Sequence, residues 1–84
     1  MTNQATRLET LLHQAEEEIF TTLRKSFGAM SDEDVREAAK KRVAEALERA
    51  QRAKLQIAVK TYFKVAYAEE ATALAIAKEL TPSE

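Results

Sequence analysis

The chain has 84 residues with one glycine, one proline, one histidine, no cysteine and a formal net charge of −1, enough for one small domain spanning 1–84 whose single core is marginal unless association adds stability. Without cysteine there is no disulfide framework, thiolate metal site or cysteine nucleophile, and a lone histidine cannot hold a metal by itself. Alanine, leucine, glutamate, lysine and arginine predominate, so the composition favours helix throughout and leaves no sheet-forming meander.

The opening stretch MTNQATRLETLLHQAEEE carries no apolar run behind a basic start. No uncharged stretch approaches the ~20 residues that cross a bilayer, so a soluble cytoplasmic product is expected. Thr6-Arg7-Leu8-Glu9 has the form of a capping box, in which hydroxyl and carboxylate satisfy orphaned backbone donors at a helix start. A first helix is predicted over about 6–27. Its apolar positions, Leu8, Leu11, Leu12, Ala15, Ile19, Leu23 and Phe27, recur every three or four residues as one stripe, widened by Phe20. Arg24 and Lys25 fall in the last turn, where cations oppose the helix dipole, and Gly28 is suited to a left-handed stop.

Ser31 opens a second helix, with Asp32, Glu33 and Asp34 in its positive first turn and Met30 and Val35 spaced for a hydrophobic staple. The short connection Gly28 to Ser31 predicts an antiparallel αα-hairpin. Its core combines Leu8, Leu11, Leu12, Ile19, Leu23 and Phe27 with Val43 and Leu47. The next clear stop is Thr81-Pro82, so the second helix is expected to run over about 32–80. At ~1.5 Å per residue it reaches ~70 Å and overhangs the first by half its length. Glu37/Lys41, Glu45/Arg49 and Glu48/Arg52 support its solvent side as i,i+4 pairs. Either this helix breaks in the β-branched and aromatic segment Ile57 to Val65 and folds back, or it stays straight and packs on another chain. With no glycine or proline to mark a break, the straight helix is favoured. Short disordered ends are expected at about 1–5 and 81–84.

The largely apolar run LQIAVKTYFKVAYA, Leu55 to Ala68, whose only charged members are Lys60 and Lys64, is the strongest functional signal. One amphipathic helix covers about one stripe, so the first helix cannot meet all of these flanks. Leu55, Ile57, Val59, Tyr62, Phe63, Val65 and Tyr67 are therefore the expected partner-binding residues, aromatic side chains on an unshared face being common anchors.

Charge is unevenly placed. Nine Lys or Arg against three acids between Arg36 and Lys64 give +6 there and −7 elsewhere. An acidic helix beside a basic one, or a protein partner, explains this more simply than nucleic acid does. The stripe Arg49, Arg52, Gln56, Lys60 and Lys64, near Tyr62, Phe63 and Tyr67, has the make-up of a nucleic-acid track with stacking platforms. A basic zipper separates its basic and apolar regions, whereas here they share turns, and long lysine stems also cover apolar surface. Glu9, His13 and Glu17 share a helix face but lack the Glu-x-x-His spacing of a di-iron bundle, Thr10 standing three before His13. There is no phosphate loop, nucleophile elbow or histidine-centred acid/base set. No enzyme, cofactor or metal is expected.

TRLETLLHQAEEE at 6–18, a short turn, and EALERAQRAKLQIAVKTYFKVAY from Glu45 to Tyr67 resemble the small helical-hairpin co-chaperones of type III secretion needle subunits, the YscE, PscE and SsaE type. The resemblance implies a bacterial cytoplasmic virulence protein that pairs with a larger tetratricopeptide-like chaperone to sequester a needle subunit. It implies that Leu8, Leu11, Leu12, Ile19 and Leu23 pack within the hairpin while Tyr62, Phe63 and their apolar neighbours meet the larger chaperone. It carries over no catalytic residue. The alanine-rich extension Ala68 to Leu80 departs from that pattern and is read as an extra docking turn, a dimer contact or a plain terminal helix. The reading is thus an all-α antiparallel helical hairpin acting as a small chaperone or adaptor. The alternative is a homodimeric helical regulator that binds nucleic acid through the basic stripe.

Overall fold

The Ser31 hydroxyl accepts a hydrogen bond from the Asp34 N–H at 3.1 Å, the N-cap expected from the sequence, and three acids follow it in the first turn. The computed structural model describes residues 4–81. Within them the regular elements are all helices: α1 (Gln4–Ser26), α2 (Asp32–Arg52), α3 (Gln56–Val65) and α4 (Glu70–Leu80). The helix α1 is described from Gln4, two residues ahead of the expected Thr6 start. The expected disordered ends fall largely outside the described residues; of those inside, Gln4 and Ala5 are helical and Thr81 caps α4.

A side chain rather than a left-handed glycine organises the turn that follows α1. No glycine among the described residues has positive φ. Instead Arg24 Nη2 donates to the carbonyls of Phe27, Gly28 and Met30 at 2.8, 3.0 and 2.6 Å, while Nη1 pairs with Asp32. One guanidinium satisfies three carbonyls of the connecting turn and ties that turn to the start of α2.

The single long helix expected over 32–80 is three helices. Breaks fall at 53–55 and 66–69, on either side of the segment Ile57 to Val65 rather than within it. Local sequence does not compel the first: Ala53 and Leu55 simply turn extended, at φ −82°, ψ 147° and φ −103°, ψ 135°, and Leu55 gives α3 no side-chain cap. Burial is the reason. Folding back takes Val59, Phe63 and Ile76 to complete burial beside Ile19 and Val35. Each such burial stabilises by about 1.5–3 kcal/mol, whereas a forgone helical hydrogen bond costs about 1 kcal/mol net.

The second break has a defined geometry. Ala68 N–H bonds to Phe63 O at 3.0 Å and Tyr67 N–H to Lys64 O at 2.9 Å, the paired bonds of a Schellman ending. Tyr67 occupies the left-handed position at φ 87°, where glycine is usual. Its ring lies under the Arg42 guanidinium, 4.5 Å from centroid to Cζ.

The core is built mostly from small residues: of fourteen buried hydrophobic positions among the described residues, eight are alanine, including Ala15, Ala39, Ala46, Ala50, Ala73 and Ala77. Leu8, Leu11, Leu12, Val43 and Leu47 pack partly buried against it, and Ile19 and Leu23 are inside. Phe27, assigned to the hairpin core from its spacing, is instead 48% exposed, because it lies beyond the last turn of α1.

Candidate functional site

On a helix that repeats every 3.6 residues, Ile57, Thr61 and Val65 fall in one i, i+4, i+8 row. In α3 this row points away from the core: Ile57 is 62% and Val65 64% exposed, while Val59 and Phe63 on the opposite side are fully buried. The Thr61 hydroxyl donates to Ile57 O at 2.9 Å, so its polar atom is spent on its own helix. β-Branched residues lower helix propensity, so this outer row is not accounted for by helix stability. Leu55, 65% exposed, stands at the head of α3, and Tyr67, half exposed, at its end.

Of the seven residues expected to bind a partner, four are therefore exposed (Leu55, Ile57, Val65, Tyr67), Tyr62 is half-buried, and two are internal. Val59 and Phe63 are covered by this chain's own helices, which corrects the expectation that the fold leaves their flank open. The reason is α4: the alanine-rich segment packs on α1 and α3 and supplies the cover that one hairpin partner could not.

Charged residues frame the row. Lys60 and Lys64 both reach Glu70 at the start of α4, at 3.2 and 3.4 Å. The hydrogen bond from Lys60, then the charge of Lys64, holds the Glu70 carboxyl below its ordinary range. A small pocket between α2 and α3 is walled by Arg42, Glu45, Arg49, Tyr62 and Val65. Arg42 also walls a second, apolar groove of ≈ 260 Å³ at the hairpin turn, lined by Leu23, Phe27, Met30, Val35 and Ala38. Phe27 and Met30 thus add exposed apolar surface that the sequence reading assigned to core and staple. Their position at a helix end, where stripe periodicity stops predicting cover, was the available signal.

The basic stripe is divided between two helices. Arg49 and Arg52 end α2, Gln56 Nε2 donates to Thr81 O at 3.2 Å, and Lys60 and Lys64 are paired with Glu70. The uneven charge is met in part within the chain, since Arg36 pairs with Glu17 at 2.6 Å and Glu16 at 3.4 Å while stacking 4.1 Å over Phe20. The hydrogen bond to Glu17 raises the Arg36 pKa further above its ordinary value. His13 stands exposed 3.8 Å from Glu17, and no group of three potential metal ligands assembles among the described residues. No described helix is long and apolar enough to cross a membrane.

No protein-family model matches this chain, and neither the curated proteins nor the solved structures contain a match.

Proposed function

We propose that this chain is a small helical adaptor that docks a partner protein across the outer row of α3. Ile57 and Val65 are the anchors, and Leu55 and Tyr67 mark the two ends. The observation that carries this is the exposure of three large aliphatic side chains, Leu55, Ile57 and Val65, on one short helix whose other face is fully packed. An i, i+4, i+8 row is the pattern that receives an amphipathic helix. The narrower form, a cytoplasmic co-chaperone of secretion needle subunits, rests on the resemblance of residues 6–18 and 45–67.

The test is affinity capture with crosslinking and mass spectrometry, comparing wild type with Ile57→Ser/Val65→Ser and with Lys40→Ala as a surface control. The adaptor reading expects a protein crosslinked to α3 by wild type and the control and lost with the double variant, whose helicity stays unchanged. Equal recovery by all three would place the contact elsewhere. A needle-type subunit arriving with a helical-repeat chaperone would select the narrower form.

A further inference from the structure

The junction Ala53-Lys54-Leu55 contains three good helix formers and neither glycine nor proline, yet it is the place where the chain leaves the helix. What holds it bent is contact between two halves, α1–α2 and α3–α4. Val59, Phe63 and Ile76 fill the core, Glu18 accepts from Glu69 N–H and Thr72 Oγ1, Arg7 pairs with Glu79, and Arg42 stacks on Tyr67. None of these contacts requires that both halves belong to one molecule. From this, carried by a different observation from the α3 outer row, we infer that the chain also forms a domain-swapped homodimer. In it α2 and α3 fuse into one helix of ~51 Å and each α3–α4 half seats on the α1–α2 half of a second copy.

The occupant is a second copy because the surface is already shaped for this segment. Another α3–α4 brings the same three core side chains, the same donors to Glu18 and the same acid for Arg7. The exchange restores helical hydrogen bonding through 53–55 and removes the uncapped start of α3. Against this stands the association entropy of two chains, so the bent monomer holds at low concentration and the dimer grows with concentration.

The cysteine-free chain allows a direct test. Wild type is unfolded and refolded at rising concentration, then sized by light scattering. Lys41→Cys/Lys64→Cys chains carrying spin labels are refolded in parallel, diluted into unlabelled chain so that only intrachain distances register. A straight α2–α3 helix puts these labels ~35 Å apart. In the bent chain they lie much closer, since Arg42 and Val65 wall the same pocket. The expected result is a dimer fraction that rises with refolding concentration and carries the ~35 Å separation. Lys54→Pro, following an Ala53 that already has the extended backbone proline requires, should weaken dimerisation by roughly ten-thousandfold, about a hundredfold for proline inside each of the two fused helices. A chain monomeric at every concentration, or a dimer that keeps the short separation, or one unaffected by Lys54→Pro, would overturn the inference.

Discussion

Glu18 Oε2 accepts a hydrogen bond from Thr72 Oγ1 at 2.6 Å, and its Oε1 accepts the Glu69 N–H at 2.9 Å. Glu69, the N-cap of α4, makes no side-chain cap of its own, so a carboxylate from α1 caps a helix 51 residues away in sequence. Thr72 is the buried polar side chain of the described core, and Gln14 completes its shell at 3.2 Å.

Glu18→Ala should therefore destabilise the fold by about 1–3 kcal/mol, the cost of a lost cap and a buried hydroxyl stripped of its acceptor. Urea unfolding measures the total. Hydrogen exchange should show the amides of 69–73 losing protection before those of α2, and uniform loss would argue against a capping role.

Tyr67 at φ 87° allows backbone strain to be separated from packing. Tyr67→Gly and Tyr67→Val both delete the ring beneath Arg42, but only glycine adopts this conformation freely. The valine variant should be less stable than the glycine variant by about 1–2 kcal/mol, read from thermal or urea midpoints. Equal stabilities would mean that the left-handed residue is not retained in solution.

Core and outer row should respond oppositely. Phe63→Ala removes a fully buried ring and is expected to cost about 3–5 kcal/mol. Ile57→Ala and Val65→Ala should stay within about 0.5 kcal/mol of wild type. A large loss at Ile57 would show that its side chain is covered in the free protein.

The Glu70 carboxyl, held low by Lys60 and then Lys64, contributes stability that is present above the ordinary glutamate pKa and lost as pH falls through the lowered folded value. Stability measured between about pH 5 and pH 3 should fall less steeply in Glu70→Gln than in wild type. The same slope in both would remove the ion pairs from the account.

Much of the first half was legible because its signals are local. Ser31 with its trailing acids marks a helix start, and the stripe from Leu8 to Leu23 marks an inner face. The second half was not, because its decisive contacts are long-range. Nothing in Ala53-Lys54-Leu55 announces a bend, and the alternation of buried Val59 and Phe63 with exposed Ile57 and Val65 acquires meaning only once α4 is known to pack there. Gly28 drew attention away from Arg24, whose reach across the turn organises it. The candidate site was half visible: the run from Leu55 to Tyr67 stands out in the sequence, but not which of its sides the chain keeps for itself.

The alanines of the core set an unusual pattern of mutational tolerance. Where helices meet through methyl groups, a single added methylene has nowhere to go, and enlarging such a position forces neighbours off their rotamers at about 1–3 kcal/mol. Ala39 and Ala77, fully enclosed, should reject Val or Leu, while Leu55 or Val65 outside accept many replacements. In this protein even the smallest buried side chains resist enlargement, and its large exposed ones are free to drift unless a partner constrains them.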